Sequence, residues 1–238
     1  MPVWSLPDGV VLRQRVLQHP VCLIVVAADY ARFYGVVTGL SRVDLSGRGW
    51  AFGVLLRPAA GRMLWRSPVA TLTDRHVELH EVSTFDGARV VRQVTAVMAA
   101  SPADPAAHRA AREVVEAALL PCLPVDADGL LVEEVVRAVG ELDVSARVDE
   151  LACAVGLSPR RLQRLTRDHL GLTPKWLLQR RRMHEAVERL KGGELRLADL
   201  AHDLGYADQA HLTRDFVRFA GQTPGAYLAD QDGAGASG

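Results

Sequence analysis

The chain has 238 residues, about half of them apolar and a quarter charged, with 28 basic and 28 acidic side chains that cancel to zero. That length is enough for one large or two ordinary domains with a real core, and the neutral total excludes a molecule that is basic all over; any nucleic-acid signature must be local. Three widely spaced cysteines, Cys22, Cys122 and Cys153, argue against a disulfide framework and against a four-cysteine zinc site. No charged-then-apolar leader opens the chain, and the longest apolar run, 21–28, is too short to span a bilayer, so a reducing cytoplasm and no membrane are expected.

Up to about residue 100 the chain alternates short apolar runs (21–28, 33–37, 50–56) with turn residues such as Asp29, Gly35, Gly39, Ser46-Gly47 and Pro58. This reads as strands of a small sheet or barrel. Helical spacing then begins. Val90, Val91, Val94, Val97 and Met98 mark one helix over 87–100. Val114, Val115, Ala118 and Leu119 mark one face of another over 106–120. The stretch 120–126, with two prolines and no period, reads as a linker, giving domains at 1–125 and 126–238.

From Gly129 onward the pattern is helix, turn, helix. Helices are expected over 130–142, 148–155, 158–170, 174–191, 197–204 and 208–220, with a last one starting at Thr223-Pro224. Gly156 and Gly205 suit left-handed C-caps, and Ser158-Pro159, Thr173-Pro174 and Asp208 are N-terminal start signals. This half also repeats itself. Leu151-Ala152, Val155 and Gly156 recur as Leu200-Ala201, Leu204 and Gly205 at an offset of 49. Leu162, Arg164, Gly171, Thr173, Pro174 and Leu178 recur as Leu212, Arg214, Gly221, Thr223, Pro224 and Leu228 at an offset of 50, so one residue is inserted at the start of the second unit's long helix. Two copies of a short helix, a glycine turn and a longer helix are two helix-turn-helix units, at about 148–171 and 197–221.

In the first long helix Leu162 and Leu165 point one way, while Arg160, Gln163, Arg164 and Arg167 stand at i, i+3, i+4 and i+7 on another face. Arg and Gln match guanine and adenine edges bidentately, and they occupy the early turns of the helix. In the second unit Leu212, Phe216 and Phe219 form the inner stripe and Gln209, His211, Arg214 and Arg218 remain outside. Between 158 and 182 the basic residues are Arg160, Arg161, Arg164, Arg167, Lys175, Arg180, Arg181 and Arg182; with only Asp168 opposed, eight minus one gives a formal +7, a stripe suited to phosphates. A charge run by itself is more often a solvated face; the duplicated, capped unit favours the DNA reading.

The stretches VDELACAVGLSPRRLQRLTRDHLGLTPKWLLQRRRMHEAVERL and LADLAHDLGYADQAHLTRDFVRFAGQTPGAYL resemble the AraC/XylS family of transcription regulators. The resemblance covers about 130–230. It implies a seven-helix DNA-binding domain whose two units place one helix each in successive major grooves. It implies that Arg160, Gln163 and Arg164 read bases in the first unit, that Gln209, Ala210, His211 and Arg214 lie at the DNA face of the second, and that RNA polymerase is a partner. Two positions depart from the family pattern. Thr166 stands where an aromatic core residue is common, which loosens packing, and Leu228-Ala229 follows Tyr227 where an arginine is common, which takes away a phosphate contact.

The N-terminal half, through FGVLLRPAAGRMLW and TLTDRHVELHEV, resembles the short sensor-like domain of some bacterial members of the same family, with Ala59-Ala60 intervening before Gly61. This implies a reduced cupin-like β-barrel with packed helices and hence an α+β chain overall. A small-molecule effector and a second protomer are the candidate partners of this half; the apolar face of 106–120 either pairs protomers or packs on its own barrel, and no cofactor is expected.

Rival readings remain. His76, Glu78 and His80 alternate and share a face in a strand, which is a metal-binding spacing, against the plainer reading of an exposed edge or loop. An enzyme with a metal there, delivered to DNA by the helices, is one alternative, and a protein-binding module is another. No phosphate loop, Gly-x-Ser-x-Gly or Cys–His pair is found. Cys153 is a thiol switch or a small packed residue. Tyr30, Phe33, Tyr34, Trp50 and Trp65 line a pocket or fill the core.

Overall fold

A computed structural model of the chain describes residues 2–16, 19–193 and 196–235. They divide into two compact units: residues 1–38, 42–133 and 164–172 form the first, and 39–41, 134–163 and 173–238 the second.

In the first unit the central strand is β3 (Leu23–Ala27), whose apolar residues are buried nearly throughout. It is flanked by β4 (Ala31–Tyr34) and β6 (Arg48–Leu55), both antiparallel to it, with Ile24 opposite Phe33 and Val54. The outer strands are β1 (Val3–Ser5) on β6 and β7 (His76–Glu78) on β4, giving the order β1-β6-β3-β4-β7; β2 (Val11–Val16) and β5 (Ser41–Ser46) form a separate two-stranded ribbon. A strand inside a sheet that is covered on its faces reads as a continuous apolar run, which is why 21–28 stands out in the sequence. Ile24, Val26 and Phe33 have no exposed surface. A short helix, α1 (Ala60–Trp65), follows the Arg57-Pro58 turn.

Against β3 lies α2 (Gly87–Ala100), which buries Val90, Val94 and Met98 at i, i+4 and i+8. It packs along α3 (Pro105–Leu119). Here the structure corrects the sequence reading. The buried stripe of α3 is Ala107, Ala111 and Val115; Val114, Ala118 and Leu119 are only half-buried. Two alanines let α2 approach closely, so the least hydrophobic-looking side of α3 is its inner one. Of the five aromatic residues singled out, Phe33 and Trp50 are core, while Tyr30, Tyr34 and Trp65 are half-buried.

Beyond residue 126 the described residues contain seven helices: α4 (Ala127–Glu141), α5 (Val148–Ala154), α6 (Pro159–Leu170), α7 (Pro174–Lys191), α8 (Leu197–Asp203), α9 (Gln209–Ala220) and α10 (Pro224–Gly235). The turn between each short and long helix passes through a glycine with positive φ, 64° at Gly156 and 74° at Gly205, a conformation in which a Cβ would crowd the backbone. The start signals act as caps. Ser158 Oγ accepts from the Arg161 amide, Thr173 Oγ1 from Trp176, Asp208 Oδ1 from His211 and Thr223 Oγ1 from Ala226. In the second unit α7 packs on α5, α9 and α10.

Candidate nucleic-acid interface

The period of α6 separates two faces. Leu162, Leu165, Thr166, His169 and Leu170 are buried. Arg160, Gln163, Arg164 and Arg167 are exposed, and Arg161 is half-buried between the faces. Thr166 has no exposed surface at all, so the small side chain is accommodated within a closed core. His169 is buried too, and burial holds its imidazole below its ordinary value, partly offset by Asp126 and Asp128.

The second copy repeats this division. Leu212, Phe216, Phe219 and Ala220 are buried in α9, whereas Gln209, Ala210, His211, Arg214 and Arg218 are exposed. His211, Arg214 and Arg218 stand at i, i+3 and i+7, one stripe of a helix. The Tyr206 ring meets the His211 imidazole edge-on at 5.0 Å and so restricts its swing. All ten candidate residues therefore lie on the outer or flanking sides of the two long helices.

The arginine run on α7 behaves differently from the phosphate stripe that the charge count suggests. Arg180 is 5% exposed, its guanidinium 5.7 Å from the Trp176 ring, and burial pulls its pKa down to about 10. Arg181 donates to the Leu142 carbonyl. Arg182 donates to the carbonyls of Val144 (3.0 Å), Ser145 (2.9 Å) and Ala146 (2.9 Å). Arg181 and Arg182 hold the α4–α5 loop on α7. The signal was available in the sequence: three consecutive helical residues fan through about 200° and cannot share one surface stripe. The outward basic set of 158–182 is thus Arg160, Arg164, Arg167 and Lys175, with Arg161 beside them.

Elsewhere, His76 stacks on Tyr34 at 5.1 Å between ring centroids, and Glu78 accepts from Arg32 at 3.1 Å. His80 falls in the turn after β7, off the strand face. Among the described residues no group of three or more His, Cys, Asp or Glu side chains is gathered for a metal. Cys153 is exposed on α5. No described helix is long and apolar enough to cross a membrane.

A family model described as a helix-turn-helix domain matches residues 151–230, the stretch that carries both copies of the unit. The chain belongs to the AraC/XylS family of transcription regulators. Among AraC-type relatives, it is 34% identical over 74 residues to the transcriptional activator RhaS of Pectobacterium carotovorum, covering 31% of this chain and 26% of that one. It is 31% identical over 81 residues to the probable transcription factor PqrA of Proteus vulgaris, covering 34% and 66%. The chain thus spans about a quarter of the length of RhaS. A solved structure, the C-terminal domain of AraT from Geobacillus stearothermophilus, is similar at 25% identity and a TM-score of 0.39, over 42% of this chain and 84% of that one. A second family model, a domain of unknown function, matches residues 3–78. The relatives named here are a transcriptional activator and a probable transcription factor.

Proposed function

We propose that this chain binds duplex DNA in a sequence-specific way and regulates transcription, with α6 and α9 reading two successive major grooves. The observation that carries the reading is the repeated division of α6 and α9. Each is a capped helix whose buried apolar stripe leaves Arg, Gln or His side chains outward in its first turns. Arg160, Gln163 and Arg164 contact base edges in the first groove, and Gln209, Ala210, His211 and Arg214 face the second. Arg161, Arg167 and Arg218 contact phosphates and set register. Residues 126–238 are the DNA-binding domain. Residues 1–125 respond to a small-molecule effector or pair two protomers, RNA polymerase is the partner at the promoter, and the protein works in the cytoplasm.

Selection of bound sequences from a random duplex pool tests this. The expected motif has two blocks about one helical turn apart. Recovery of no motif with the full chain and with residues 126–238 alone refutes it. A protein-binding module is refuted in turn by DNA binding that weakens steeply with salt.

A further inference from the structure

The helices that carry the candidate reading residues, α6 and α9, end in a glycine at the same place of the repeat, Gly171 with φ 70° and Gly221 with φ 73°. A segment of the N-terminal half sits on each of these glycines. Within the first unit, Thr73 Oγ1 donates to the Gly171 carbonyl at 2.8 Å. A Cβ on Gly171 would stand 2.6 Å from that hydroxyl and 3.1 Å from the Val69 carbonyl. Within the second unit, Leu40 lies over Gly221, where a Cβ would stand 2.5 Å from Leu40 Cδ2. Each long helix is thus held at the end opposite to its first turns.

The two segments, 35–40 and 69–75, are joined through Asp74. That residue holds φ 58°, a left-handed conformation that costs free energy outside glycine and persists where its surroundings fix it. Its amide donates to the Val36 carbonyl at 2.9 Å, and its carboxylate accepts from the Thr38 amide and the Thr38 hydroxyl, both at 2.7 Å. The Gly35 amide donates to the Arg75 carbonyl at 3.0 Å, and a Cβ on Gly35 would overlap the Leu72 carbonyl. Thr73 stands one residue before Asp74, and Leu40 two residues after Thr38, so the side chains that meet the two glycines both leave from this braced turn.

We propose that Thr73 and Leu40 are positioning residues for DNA reading, through which the N-terminal half sets the tilt of α6 and α9 from their glycine ends. The proposal rests on the DNA reading above. The lever is long. Gly171 lies eleven residues after Arg160, about 16 Å along the axis, so a tilt of about 10° at the glycine moves the first turn by about 3 Å. That is several times the ~0.5 Å within which a binding group must be held.

Full-length Thr73→Val, Thr73→Ser, Leu40→Ala and Asp74→Gly test it by two measurements. The first is competition binding over single-base variants of the selected duplex. Thr73→Val should cut discrimination about three- to tenfold at the base pairs read by α6 and leave the other block as it is. Thr73→Ser keeps the hydroxyl and should restore the parent's profile. Leu40→Ala should act on the block read by α9. Asp74→Gly keeps the left-handed backbone, deletes the carboxylate and should act on both blocks. Variants that weaken every duplex by one common factor, as a loss of stability does, overturn the proposal, and so does an unchanged profile. The second measurement is amide exchange of the DNA-free full chain. Exchange should quicken at 167–172 in Thr73→Val and at 217–222 in Leu40→Ala; rates equal to the parent's overturn the proposal without any DNA. A parent that selects no motif refutes the DNA reading, and the exchange rates then test the hold on the two glycine ends by themselves.

Discussion

The Trp176 indole and the Phe219 phenyl ring lie 5.7 Å apart between centroids, tilted by 42°, so the first turn of α7 is packed against the last turn of α9. Both side chains are 9% exposed. Replacing Trp176 with Ala therefore opens a cavity at the joint of the second unit. The expected loss is about 3–5 kcal/mol of unfolding free energy, read from urea titration of residues 126–238, and Phe219→Ala should cost a similar amount. Because the rings touch, the double variant should lose less than the sum.

On the proposed DNA reading, two of the four arginines of α6, Arg164 and Arg167, are expected to separate by role. Arg164→Ala should cost about 1–3 kcal/mol of binding to the preferred duplex and relax preference at a single base pair, as a lost bidentate contact does. Arg167→Ala should weaken every duplex alike and reduce the salt slope by about one. Competition binding over a panel of single-base variants distinguishes them. Identical profiles for the two variants would contradict the assignment.

Removing the Arg182 guanidinium leaves the carbonyls of Val144, Ser145 and Ala146 without that donor. Arg182→Met keeps the aliphatic stem and deletes the donors. It should destabilise the domain by about 1–3 kcal/mol and raise amide exchange in the 143–147 loop before it affects α9.

His169 gives the pH dependence. Burial lowers its folded pKa below the unfolded value of about 6.5; Asp126, Asp128 and Asp168 pull it up, and Arg62 pushes it down. The folded state then binds fewer protons than the unfolded one below neutrality. The contribution is complete above pH of about 6.5, declines as pH falls toward the folded pKa, and levels off beneath it. His169→Gln should flatten that part of the stability–pH curve in denaturant titrations at several pH values; an unaltered curve would show that another group is responsible.

The helices after residue 126 are legible from sequence because their determinants are local. Ser158, Thr173, Asp208 and Thr223 cap within three residues, and Leu162/Leu165 and Leu212/Phe216 sit on a regular period. The exposed faces of α6 and α9 follow from the same period. Other features are not local. Strands β1 and β2 are short and carry exposed Val3, Val11 and Leu12, so little in the sequence marks them until β6 and β5 pair with them. The inner face of α3 is set by the close approach of α2, which selects Ala107 and Ala111 over the larger Val114 and Leu119. Tyr206 follows a glycine turn and reads as core, and only the three-dimensional arrangement of α5, α7 and α9 shows that it also lines a cleft.

The turn after α5 runs through 155–158, whereas the turn after α8 runs through 204–208, one residue longer. The extra residue falls before α9 begins, so the two long helices correspond from cap to cap, Ser158 to Asp208, while the short helices correspond one number earlier. Anyone transplanting the binding preference of one unit into the other must therefore count from the cap. Gln209, His211 and Arg214 map onto Pro159, Arg161 and Arg164. A graft counted from the short helices instead would land one position off and turn every transplanted side chain by about 100°, away from the groove it was chosen to read.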